Sequence, residues 1–271
     1  MSITAKNIGE ALLAVVCVLS ISIAVEAQTY YAYVASESAD EVSLVSFDGK
    51  VAQVEEVISV GQLPVETEGP HGMTIAPDGD HWFVTIAHGF PYGRVCKYAT
   101  SDNTPVGCAE LGMFPASMEI STVTDLLYAV NFNLHGDHEP STVSVVDPEA
   151  MTVVAEIPTG IMPHGSRISP EGTRQYHVSM MTDELVEINT LSMEVTRRLN
   201  VAKPEARKSR SFDGANPIAK PTWADPHPSE PFVYVANNGS DEIVEVNRND
   251  WTITRRFSTG SEAGEGQGGG S

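Results

Sequence analysis

Beyond residue 28 the apolar positions fall into short runs, either alternating with polar residues or continuously β-branched. Thr142-Val143-Ser144-Val145-Val146 leads into the turn pair Asp147-Pro148 and then into Met151-Thr152-Val153-Val154-Ala155. An apolar residue at every second position is the period of a half-buried strand, and no stretch keeps a helical period over three turns. The pattern predicts an all-β chain of many short strands.

The strands recur as a group. Tyr33-Val34-Ala35 through Asp40-Glu41-Val42 aligns without a gap on Tyr234-Val235-Ala236 through Asp241-Glu242-Ile243. Tyr176 through Asp183-Glu184-Leu185 falls in the same register, as do Phe83-Val84-Thr85 and Tyr128-Ala129-Val130, with successive offsets of 50, 45, 48 and 58 residues. A second landmark precedes every unit but the first: Pro70-His71-Gly72, Pro115-Ala116-Ser117, Pro163-His164-Gly165 and Pro221-Thr222-Trp223. Four strands in each unit of about 40–50 residues is the length of a β-propeller blade, whose sheet buries its faces against its neighbours. The fold class expected is therefore an all-β propeller of four-stranded antiparallel blades, with about five blades present.

Phe232-Val233-Tyr234-Val235-Ala236-Asn237-Asn238-Gly239, Thr152 to Gly160, and Pro163-His164-Gly165 with Pro170-Glu171-Gly172 resemble the YVTN-type β-propeller repeat of secreted bacterial and archaeal proteins. The resemblance covers residues 30 to 260. It extends distantly to lactonase-like propellers and to those of nitrous-oxide reductase and cytochrome cd1, and it implies six or seven blades. In this chain four units have all four strands, A to D from the channel outward, whereas the first, Tyr30 to Gly61, lacks strand A. The chain is then either a five-bladed ring with imperfect closure or a fragment of a six- or seven-bladed one, and the resemblance favours the fragment.

The N-terminal segment stands apart from this pattern. Lys6 precedes an apolar run from Ala11 to Val25 that ends at Val25-Glu26-Ala27. That is the layout of a signal peptide over residues 1–27, and the run falls short of the roughly 20 residues a membrane span needs. The expected organisation is a leader over 1–27, a propeller over 28–260 and a Gly-rich flexible tail over 261–271, in a periplasmic or secreted protein with no membrane insertion after cleavage. In an oxidising compartment Cys96 and Cys108, on two short strands around Ser101-Asp102-Asn103, are expected to form a disulfide.

Charge narrows the partners. The chain holds 16 Lys plus Arg against 36 Asp plus Glu, a formal net charge of −20. That field repels nucleic acid and anionic membrane faces. No Cys-x-x-Cys-His is present, which argues against covalent haem.

The blade register also places the candidate chemistry. The start of strand A and the B–C loop share the top rim of the channel. His71 and His164 begin strand A in their blades, His88 ends a strand B, and His135 and His138 lie in the loop Asn133 to Glu139, so all five map to that rim. Converging neutral imidazoles suit copper, zinc or iron, and three or four of them are expected to bind such an ion together. His81 and His227 map to the opposite face, and His177 lies inside a strand. The recurrent pairs Asp40-Glu41, Asp183-Glu184 and Asp241-Glu242 read as turn chemistry, with each Asp bonding its own backbone. A basic stretch with Lys203, Arg207, Lys208, Arg210 and Lys220 emerges at the top and is placed to receive a small anionic ligand or a protein partner. The resulting reading is an exported binding platform using the top face, with a His-coordinated transition metal. The alternatives are an enzyme centred on the same rim, lactonase-like hydrolase or metal-dependent oxidoreductase, and a structural cell-surface repeat protein.

Overall fold

The alternating runs form nineteen β-strands among the described residues, grouped in five antiparallel sheets. The structure is a computed structural model and describes residues 28–63, 65–88, 92–205 and 217–260. The leader and the Gly-rich tail expected from the sequence lie outside the described residues.

Blade 1 has three strands, β1 (Tyr30–Ser36), β2 (Glu41–Phe47) and β3 (Ala52–Ser59). Blade 2 comprises β4 (Pro70–Ile75), β5 (His81–Ile86), β6 (Arg94–Ala99) and β7 (Pro105–Glu110). Blade 3 comprises β8 (Pro115–Ile120), β9 (Leu127–Asn131), β10 (Pro140–Asp147) and β11 (Thr152–Ile161). Blade 4 comprises β12 (Pro163–Ile168), β13 (Arg174–Ser179), β14 (Glu184–Asn189) and β15 (Glu194–Asn200). Blade 5 comprises β16 (Pro221–Pro226), β17 (Phe232–Asn237), β18 (Glu242–Asn247) and β19 (Thr252–Ser258).

The first strands of blades 2 to 5 pack on one another in succession, β4 on β8, β8 on β12 and β12 on β16, and so line the channel. The arrangement is a partial β-propeller. Each strand of this inner row opens on the proline read from the sequence, where the missing N–H costs no ladder bond. The residue before each proline is in the left-handed region: Gly69, Phe114, Met162 and Lys220 have φ between 43° and 65°. One turn thus starts every complete blade.

The core is divided by blade interface. Val42 and Ile58 meet Trp82, Val84 and Ile86 between blades 1 and 2. Phe83 and Val95 meet Met118 and Leu127 between blades 2 and 3. Tyr128 and Val143 meet Ile168 and Ile188 between blades 3 and 4, and Tyr176 and Leu185 meet Val233 and Val244 between blades 4 and 5. Glycine lets the inner strands approach closely. A Cβ on Gly72 would lie 1.9 Å from the Ala116 carbonyl oxygen, and one on Gly165 would lie 2.5 Å from that of Thr222. In β8 the same position is Ser117, whose hydroxyl donates to the His164 carbonyl at 3.1 Å.

The aspartates of the second-to-third-strand turns act differently from the sequence expectation. Asp183 does take the left-handed turn conformation, φ 55°. Its carboxylate, however, accepts hydrogen bonds from the N–H groups of Ile218, Ala219 and Lys220, the segment leading into blade 5. Asp40 likewise accepts from Glu68 and Gly69 on the way into blade 2. These carboxylates clamp the incoming backbone of the next blade rather than their own. Cys96 and Cys108, directly opposite in the pairing of β6 with β7, are joined by a disulfide.

Candidate functional site

Four of the five rim histidines meet around two phenylalanines, Phe114 and Phe132. His71 and His164 are the second residues of β4 and β12, and their rings stand edge to face with centroids 5.9 Å apart. His164 Nδ1 donates to the Thr222 carbonyl at 2.9 Å, so this ring is held by the blade that follows it. Burial keeps both imidazoles below the ordinary histidine value, against a smaller opposing pull from Glu37 on His71 and from the Thr222 carbonyl on His164. Both are therefore neutral near pH 7, and His164 has one nitrogen oriented by backbone, as in many metal-ligating histidines.

His88 lies just beyond β5. Its Nε2 is 2.8 Å from Glu37 Oε1 in blade 1, and its Nδ1 is 3.0 Å from Nε2 of His135 in the blade-3 loop. Carboxylate, imidazole and imidazole form a chain across three blades that can hold or pass a proton. Both nitrogens of His88 are occupied in it. Among the described residues no three His, Cys, Asp or Glu side chains converge to hold an ion.

Phe114 joins the two pairs. Its ring lies 5.4 Å from His71, 4.8 Å from His88 and 5.6 Å from His135. Phe132 continues the floor, 5.6 Å from Phe114 and 4.7 Å from His164. Met113, Met162 and Met180 pack against the same floor. Phe114 adopts φ 51°, unusual for an aromatic residue, but the same conformation precedes every inner-strand proline, so it belongs to the blade architecture. Deeper in the channel Glu119 accepts from the Ile168 N–H, and Arg167 stacks on Trp223 at 4.7 Å.

The other sequence candidates lie elsewhere. His138 is exposed in the His135 loop. His81 lines a cleft between blades 2 and 3 with Asp78, Lys97 and Asp125, and His227 caps the turn at Ser229 and Glu230. His177 is wholly buried, and burial followed by the Arg198 charge pushes its pKa down to about 3. Lys203 pairs with Glu242 at 3.1 Å. Lys220 begins the inner turn of blade 5, and Arg207, Lys208 and Arg210 lie outside the described residues. Glu37, Phe114, Phe132 and the three methionines escaped the sequence reading. The repeat register was the signal for Phe114, because it precedes Pro115 where Gly69 and Met162 precede their prolines.

No protein-family model matches the sequence, and no curated protein matches it. Solved structures do. Hydrazine synthase from Kuenenia stuttgartiensis is 16% identical, with a TM-score of 0.66 over 84% of this chain and 71% of that one. A functionally unknown protein from Desulfotomaculum acetoxidans DSM 771 is 12% identical, with a TM-score of 0.63 over 85% of this chain and 69% of that one. These likenesses show the fold.

Proposed function

We propose that the protein is an exported binding platform whose working surface is the channel mouth, and that it takes a small ligand there. The observation that carries this is the cluster of His71, His88, His135 and His164 around Phe114 and Phe132, contributed by several blades. Imidazoles supply hydrogen-bonding nitrogens above an aromatic floor, the usual make-up of a ligand site. Export is supported by the Cys96–Cys108 disulfide and by the signal-like leader. The test is native mass spectrometry of the protein isolated from its own host, beside a His71→Ala/His164→Ala variant. A co-purifying small molecule held by the first and lost from the second, with the β circular-dichroism signal unchanged, is the expected result. A ligand retained equally by both proteins overturns the reading.

A metal ion is the second reading, favoured by the backbone-oriented ring of His164 with His71 beside it. Met113, Met162 and Met180 beside the same floor make copper the best match, because thioethers and imidazoles together suit its softer state. Two imidazoles would hold the ion, with the ligand or a thioether completing the set. Copper present in the wild type and absent from the double variant is expected; equal copper in both sinks it.

A further inference from the structure

β1 occupies the second-strand position of its blade. It contacts the inner strand of the next blade, β4, as β5 contacts β8 and β9 contacts β12. Each of those equivalents has an inner strand on its channel-side edge, whereas among the described residues nothing pairs with that edge of β1. The strand, Tyr-Tyr-Ala-Tyr-Val-Ala-Ser, carries neither charge nor proline, the usual guards of a free edge. Tyr30, Tyr31 and Val34 are 56%, 63% and 47% exposed. An uncharged aromatic edge of this kind is built to be covered.

We propose that β1 receives a strand from another polypeptide: an extended cationic segment, antiparallel to β1, with glycine or serine two residues after its proline. The complete blades specify that pattern. The third residue of each inner strand lies against the second residue of the next, Gly72 against Ala116, Ser117 against His164 and Gly165 against Thr222. A strand added to β1 would place its third residue against His71, where only a small side chain fits. Charge specifies the sign. Blade 1 as a whole, residues 30–61, carries Glu37, Asp40, Glu41, Asp48, Glu55 and Glu56 against Lys50 alone. A second copy, with its own net charge of −20, is repelled. Addition to a free edge draws its affinity from main-chain hydrogen bonds and its specificity from side-chain fit, so a short peptide is a fair probe.

The probe is a peptide with the sequence of Met162–Ser169, which contains Arg167 and no acidic residue, added to the full chain. Amide hydrogen exchange is expected to slow in residues 30–36, and the same peptide with Gly165→Val is expected to bind at least about tenfold more weakly. Equal binding of the two peptides, or protection elsewhere without protection of β1, overturns the proposal. So does a dimer that protects β1 unaided, or β1 protection in the chain alone that disappears on truncation after Gly260.

Discussion

Blades 2 to 4 and blades 1 and 5 are written in one repeat but live in two environments. The same aromatic position is Tyr33, Phe83, Tyr128, Tyr176 and Tyr234. In the three interior blades it is sealed, at 1%, 0% and 1% exposure, and in the two end blades it is only half-buried. Its hydroxyl depends on the blade that follows: that of Tyr33 donates to Asn103 of blade 2 and that of Tyr128 to the Thr190 carbonyl of blade 4, while that of Tyr234 stays within its own blade on Glu245. A second set repeats between blades 4 and 5. Glu187 gathers Thr196 and Arg197, and Glu245 gathers Thr254 and Arg255. Arg197 also reaches the Arg248 carbonyl and stacks on Trp251 of blade 5, whereas Arg255 is left 63% exposed. Identical local chemistry acquires tertiary weight only where another blade leans on it.

The sharpest way to break this contrast is at the inner strands. Gly72→Val would drive side-chain atoms into the backbone of β8, and a loss above about 4 kcal/mol, or failure to fold, is expected from circular dichroism and thermal melting. A tolerated valine would mean that the inner row does not pack as described. Next come the tyrosines: Tyr176→Ala should cost about 3–5 kcal/mol in urea unfolding, and Tyr234→Ala about 1 kcal/mol. Similar losses at the two sites would erase the distinction between interior and end blades.

Acid should test an interior blade selectively. His177 donates from Nδ1 to Gln175 and accepts from the Thr159 hydroxyl, with no room for a second proton. Its folded pKa of about 3 lies below the unfolded value of 6.5, so the unfolded chain binds a proton first as pH drops. This group's contribution is intact above pH 6.5 and is lost progressively down to about 3, and His177→Gln should flatten that part of a stability–pH curve. An unaltered slope rejects the neutral assignment. The smallest effect is expected at the surface: Arg255→Ala should cost less than about 1 kcal/mol, below the cost of Arg197→Ala measured alongside it.

The blade organisation was legible because it is local and repeated. A proline, a small residue and an alternating strand recur within each unit, so the starts at Pro70, Pro115, Pro163 and Pro221, and the missing inner strand of blade 1, could be read directly. The disulfide was legible as two facing strands around one turn. The mouth was only half legible. Register places His71 and His164 on one rim, but Glu37 meets His88 across 51 residues, and the choice of His135 as its second partner depends on the path of one long loop. Phe114 and Phe132 escaped notice, since nothing in a linear pattern says which apolar positions face a channel. Asp183 looked like a turn residue because it is one; its second role needs the next blade in place.

That second role sets how the molecule comes apart. The Asp183 main-chain carbonyl accepts from Val201 at the end of its own blade, while its carboxylate holds Ile218, Ala219 and Lys220 at the start of the next. One residue therefore belongs to two folding units, and neither can open there without straining the other. In a quasi-linear stack, stability is intrinsic blade terms plus nearest-neighbour couplings, and such a residue raises the coupling. Asp241 repeats the turn and the main-chain bond to Thr259, but among the described residues its carboxylate fastens no following blade. Unfolding should accordingly fray inward from blade 5, with the clamped junctions between blades 1 and 2 and between blades 4 and 5 resisting as steps in the sequence of opening.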